Sequence, residues 1–139
     1  MLLLLKNHGC VSSLDIPQLI YCSRIKKGYS ISQTAKLCGL DTDVYAKYEK
    51  EKIEYQYMNL DTLDKISKTL NVDLISNSDY LKFKKNSVEI IRNYMKINKI
   101  SIRKFAEILN VSTTTIKQWR NGKCSPSYEM WESYFKNKI

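Results

Sequence analysis

Shifted by seventy-one residues, the chain partly overlays itself. Residues 28–50 read GYSISQTAKLCGLDTDVYAKYEK, and residues 99–121 read KISIRKFAEILNVSTTTIKQWRN. Ser30, Ile31, Ala35 and Thr42 recur as Ser101, Ile102, Ala106 and Thr113. Apolar character recurs as well: Tyr29 with Ile100, Leu37 with Ile108, Cys38 with Leu109, Leu40 with Val111, Tyr45 with Ile116, and Tyr48 with Trp119. A chain of 139 residues has room for one ordinary domain or two very small ones. The repeat points to the second arrangement, with each copy burying a core of its own.

Both copies share one physical grammar, two short helices joined by a tight turn. Ser101 is a good N-cap, because its hydroxyl can accept from the free amides of the next turn. Phe105, Ala106, Ile108 and Leu109 supply an apolar stripe at helical spacing. Asn110 tolerates the left-handed conformation that ends a helix, and Val111 plugs the turn. Ser112 caps the next helix, whose inner face carries Ile116 and Trp119, three apart. The first copy repeats this with Ser30 as cap, Gly39 in the turn, Leu40 as plug and Asp41 as second cap. Ala35 and Ala106 fall where two helices would cross closely.

Flanking helices are expected around each copy. Asp15 and Gln18 stand in capping-box spacing before the first, and Asn86 and Glu89 before the second. After the first copy, Leu60, Leu63, Ile66 and Leu70 form one stripe. After the second, Ser125 and Pro126 open a helix whose stripe is Met130, Trp131 and Tyr134. The polar stretch SNSDYLKFKK reads as a linker that can continue as helix. Strand-like alternation is absent from the sequence. The expected architecture is all-α: a unit over residues 1–76 with an N-terminal extension, a linker over 77–85, and a unit over 86–139.

Charge separates the two halves. Residues 1–80 hold ten basic and ten acidic side chains, whereas residues 81–139 hold thirteen basic and four acidic. The whole net charge of +9 therefore sits in the second half. Such asymmetry points to a polyanionic partner for that half. A lysine-rich surface kept only for solubility would not explain why the first half is neutral.

The leucines Leu2–Leu5 are too few for a membrane span or a secretory signal, which predicts a cytoplasmic protein without a membrane partner. They read instead as a segment packed on the first unit or on another chain. Cys10, Cys22, Cys38 and Cys124 form no C-x-x-C pair, and His8 is the single histidine, so no metal site is expected. Cys22 and Cys38 read as small buried apolar groups. With no G-x-S-x-G, no glycine-rich phosphate loop and no paired ligands, neither an enzyme nor a cofactor is expected.

Both copies resemble the helix-turn-helix domain of the lambda repressor and Cro class, the XRE family. The second copy carries the resemblance in KISIRKFAEILNVSTTTIKQWRNGKCSPSYEMW, within residues 86–135. The first carries it in GYSISQTAKLCGLDTDVYAKYEKEK and NLDTLDKISKTLNV, within 14–74. The family often places glutamine after the capping serine of the second helix, where it contacts phosphate; here Ile31 and Ile102 stand instead. The first copy also lacks the glycine and proline that follow the third helix, and EKIEYQYM replaces them.

The resemblance implies a third helix lying in the major groove of double-stranded DNA. On a helix starting at Thr113, the outer face presents Thr113, Thr114, Lys117 and Gln118 to base edges. Gln118 suits adenine, Lys117 suits guanine or phosphate, and threonine methyls fit thymine. Ser101, Arg103, Lys104, Ser112, Arg120, Asn121 and Lys123 are expected along the DNA backbone, fixing position rather than sequence. Trp119 reads as core.

In the first copy the corresponding surface is Thr42, Asp43, Ala46 and Lys47. Asp43 would be repelled by phosphate but can accept from cytosine, so this unit either reads DNA weakly or contacts protein. The tyrosines at 45, 48, 55 and 57 suit a protein contact, although Tyr45 and Tyr48 also read as core.

The expected function is a sequence-specific DNA-binding regulator, a repressor of the kind carried by phages and mobile elements, with a homodimer as one way to engage two half-sites. The competing expectation is a protein-binding module, an antitoxin or an inhibitor of a host protein, with the N-terminal unit as partner surface.

Overall fold

The computed structural model describes residues 15–50, 53–54 and 57–138. Leu2–Leu5, His8, Cys10 and Tyr55 lie outside these residues. The described residues are all-α, with helices and no strand. The chain divides after Leu81 into a first unit, Met1–Leu81, and a second, Lys82–Ile139.

The first unit opens with α1 (Ile16–Lys27), set by a reciprocal capping box. The Gln18 amide donates to Asp15 Oδ1 at 3.0 Å, and the Asp15 amide donates to Gln18 Oε1 at 3.2 Å. Gly28, at φ 74°, ends the helix in the left-handed region. A second box starts α2 (Ile31–Cys38), where Ser30 and Gln33 exchange the same pair of bonds.

Gly39 turns the chain at φ 75° into α3 (Thr42–Glu49). Asp41 occupies the cap position of α3, but its side chain accepts no capping bond. Helix α4 (Leu60–Leu70) is capped by Asn59, which accepts from the Thr62 amide at 3.0 Å. Its Leu63, Ile66 and Leu70 are buried, while Leu60 is half-buried. With Ile20, Tyr45 and Met58 they form a core of side chains whose full burial is worth about 1.5–3 kcal/mol each.

One polar cluster sits inside this core. Arg24 donates from Nε and Nη2 to the two carboxylate oxygens of Glu49, at 2.7 and 2.9 Å. Its Nη1 donates to the Tyr29 carbonyl at 2.8 Å, and the Tyr45 hydroxyl donates to Glu49 Oε1 at 2.8 Å. The hydrogen bond to Glu49 raises the pKa of Arg24, and burial raises that of Tyr45. The cluster ties the end of α1, the turn after it and the end of α3 into one locked arrangement. A buried pair satisfied on every side is specific in geometry even where its net stabilisation is small.

The second unit has helices at matching offsets. Ile16, Ile31 and Thr42 begin α1, α2 and α3; Ser87, Ile102 and Thr113, each seventy-one residues later, begin α6 (Ser87–Ile97), α7 (Ile102–Leu109) and α8 (Thr113–Asn121). Helix α5 (Asp79–Lys85) occupies much of the stretch read as linker, and its Phe83 is buried. The capping box expected at Asn86 and Glu89 is absent: Asn86 makes no side-chain bond into α6. Its amide Nδ2 instead donates back to the Lys82 carbonyl at 3.0 Å, so Asn86 closes α5 rather than opening α6.

Helix α9 (Tyr128–Ser133) is capped by Ser127, not Ser125, through the Met130 amide at 3.1 Å, and Pro126 stays buried outside the helix. The core of this unit is aromatic. Phe135 lies 5.1 Å from Phe83, 6.1 Å from Phe105 and 6.0 Å from Trp119, measured between ring centres. Tyr94 and Tyr134 meet hydroxyl to hydroxyl at 2.8 Å, and burial pushes Tyr134 up to about 12.

Ile108 departs from its expected stripe and is 47% exposed, as is Leu37 at 56% in the first unit. At about 100° per residue, Phe105, Ala106 and Leu109 share one seam. Ile108, two residues past Ala106, falls on the far flank.

Candidate nucleic-acid interface

The turn between α7 and α8 is built from local bonds. Ser101 Oγ accepts from the Lys104 amide at 3.1 Å and starts α7. Asn110, at φ 57° and ψ 47°, ends it, and the Val111 amide returns to the Ala106 carbonyl at 3.0 Å. Ser112 Oγ then accepts from the Thr115 amide at 3.1 Å and lies 3.0 Å from the Thr115 hydroxyl. These bonds fix the angle at which α8 leaves the turn.

Packing fixes the rotation of α8. Ile116 and Trp119 are buried at 0% and 4% exposure. The opposite side therefore faces outward, and Thr113, Thr114 and Lys117 are exposed. Gln118 is half-buried, and its Oε1 accepts from the Cys124 thiol at 3.6 Å. Gly122, at φ 82°, ends the helix, and the Lys123 amide donates to the Gln118 carbonyl at 3.0 Å. The Lys123 amide also lies 2.9 Å from Asn121 Oδ1, so Asn121 braces the same turn.

Of the residues expected along a DNA backbone, Ser101, Arg103, Lys104, Ser112, Asn121 and Lys123 are exposed. No described carboxylate forms an ion pair with Arg103, Lys104, Lys117 or Lys123. Arg120 behaves differently. It is half-buried, and its Nε is enclosed without a hydrogen-bond partner. A groove of about 430 Å³ runs along α6, lined by Lys85, Asn86, Val88, Glu89, Arg92 and Asn93.

In the first unit, α3 exposes Thr42, Asp43 and Lys47, with Ala46 half-buried. Tyr45 and Tyr48 are core, and the Tyr48 hydroxyl accepts from the Asn59 amide at 3.0 Å. Tyr57 is 63% exposed. Among the described residues, no group of three or more histidine, cysteine or acidic side chains is placed to hold a metal. None of the described helices is long and apolar enough to cross a membrane.

Reading the sequence alone missed three features: the Arg24–Glu49 lock, the Cys124 contact to Gln118, and Phe135 as the hub of the second core. The repeat itself contained a signal for the first. At the seventy-one-residue offset, Arg24 falls opposite Met95 and Glu49 opposite Arg120, so one copy has an opposite-charge pair that the other lacks.

In each unit two short helices meet across a left-handed turn, at Gly39 in the first and Asn110 in the second. A helix-turn-helix family model matches residues 23–76 of the chain, which run from within α1 past the end of α4. No curated protein and no solved structure matches the chain.

Proposed function

We propose that the chain is a sequence-specific, double-stranded-DNA-binding regulator that represses by occupying its site. On this reading it carries two helix-turn-helix headpieces, over residues 1–76 and 86–139, and α8 of the second lies in the major groove. One observation carries it. Thr113, Thr114 and Lys117 stand exposed on a helix whose rotation is fixed by buried Ile116 and Trp119, within the half that holds the whole +9 charge. Base edges would meet the threonines, Lys117 and Gln118, while Arg103, Lys104 and Lys123 meet phosphates. The helix-turn-helix match over residues 23–76 supports the class of function.

Selection from a random duplex pool tests the proposal. The full chain should recover a defined site, and its affinity should fall by orders of magnitude between about 50 and 200 mM salt. Lys117→Ala with Gln118→Ala should lose the selection while keeping helix content. Recovery of the same site by the double variant would overturn the assignment of α8.

A second reading draws on the neutral first unit, in which Tyr21, Ile25 and Leu37 are 51%, 52% and 56% exposed. As a protein-binding surface, that unit would make the chain an antitoxin or an inhibitor of a host protein. An apolar complex of that kind should barely respond to salt. Asp43→Lys separates the roles of α3: at low salt it raises DNA affinity only if α3 approaches the duplex.

A further inference from the structure

Gln118 is the one proposed base-reading side chain whose amide oxygen is already engaged. The chain reverses at Gly122, and the residues after it fold back over the end of α8. Amides from both Lys123 and Cys124 reach the Gln118 carbonyl, at 3.0 and 3.4 Å. The same reversal brings Cys124 Sγ to 3.6 Å from Gln118 Oε1. In this contact the thiol is the donor, a weak one, and the carboxamide oxygen the acceptor, which turns the oxygen toward Cys124.

We propose that Cys124 is a positioning residue for Gln118, holding the amide oxygen back toward the turn so that the NH2 group leads toward a base. This rests on the reading of α8 as the groove helix and sharpens it. A free carboxamide pairs with adenine by donating to N7 and accepting from N6. With Oε1 held by the thiol, the leading edge is a pair of donors. The base that suits two donors is guanine, whose N7 and O6 both accept in the major groove. The base contacted by Gln118 is therefore guanine rather than adenine.

The test uses the full chain in reducing buffer, with sites selected from random duplexes by the wild type and by Gln118→Ala, Cys124→Ser and Cys124→Ala. The Gln118→Ala profile identifies the base step that depends on this side chain. The wild type and Cys124→Ser should both prefer guanine there, because serine keeps a donor. Cys124→Ala should lower that preference roughly 2- to 10-fold, the worth of one hydrogen bond, while leaving the salt dependence and helix content unchanged. Adenine at that step, an unchanged preference in Cys124→Ala, or no step that depends on Gln118 would each overturn the proposal. Failure of the groove reading itself appears earlier and separately, as a wild-type chain that selects no sequence; it removes the role of Cys124 as well.

Discussion

The two units solve the same packing problem with opposite chemistry. In the first, Arg24 reaches from α1 to Glu49 at the end of α3, and the pair is bidentate, buried and joined by Tyr45. In the second, Met95 and Arg120 stand at those offsets, Met95 is buried, and Arg120 Nε has no partner. Rings around Phe135 hold the second unit together instead. A guanidinium satisfied from within has little left for an outside ligand. Arg120, half-buried at the end of α8, keeps an enclosed Nε that nothing satisfies. The difference parallels the charge, neutral in one half and strongly basic in the other.

The largest expected effect breaks the lock of the first unit. Glu49→Ala strands a buried guanidinium and should cost about 3–5 kcal/mol in urea unfolding followed by circular dichroism. Arg24→Met with Glu49→Leu should recover most of that loss, because the apolar pair leaves no charge behind. A cost under about 1 kcal/mol for Glu49→Ala would mean that the two units are held alike.

Arg120→Met comes next. Removing the orphaned Nε should stabilise the second unit by about 1–3 kcal/mol and weaken duplex binding at the same time. Both tryptophans, Trp119 and Trp131, lie in that unit, so their fluorescence reports its unfolding alone. A loss of stability would show that the guanidinium has a partner in solution.

Caps give a smaller contrast. Ser112→Ala should cost about 1 kcal/mol, since its hydroxyl holds the Thr115 amide, whereas Asp41→Ala should cost only a few tenths. The remaining effect concerns the turn before the second helix of each unit. Gly28 sits there at φ 74°, and Lys99 occupies the same offset at φ 53°. Lys99→Gly should stabilise the second unit by about 0.5–1 kcal/mol, read by the same fluorescence.

Features decided within one turn of helix were legible in the sequence. Ser30, Ser101 and Ser112 cap where their spacing predicts, and Asp15 with Gln18 forms the expected box. Gly39, which has no Cβ, and Asn110, whose short side chain tolerates it, turn left-handed. The outward placing of Thr113, Thr114 and Lys117 followed from the inward phase of Ile116 and Trp119, whereas Gln118, expected beside them, is half-buried. Errors arose where two local solutions compete or where partners lie far apart. Asn86 can serve the helix before it or the one after it, and tertiary packing decides. Ser125 and Ser127 both offer hydroxyls, and only the position of α9 selects between them. Arg24 and Glu49 are separated by twenty-five residues, beyond the reach of any periodicity.

Cys38 lies buried at the end of α2, and burial pushes its thiol up. An alkylating reagent attacks thiolate, so it must wait until the first unit opens. The rate at which Cys38 becomes modified is thus a clock for that opening, and it runs in the unaltered chain, where the first unit has no tryptophan to report on it.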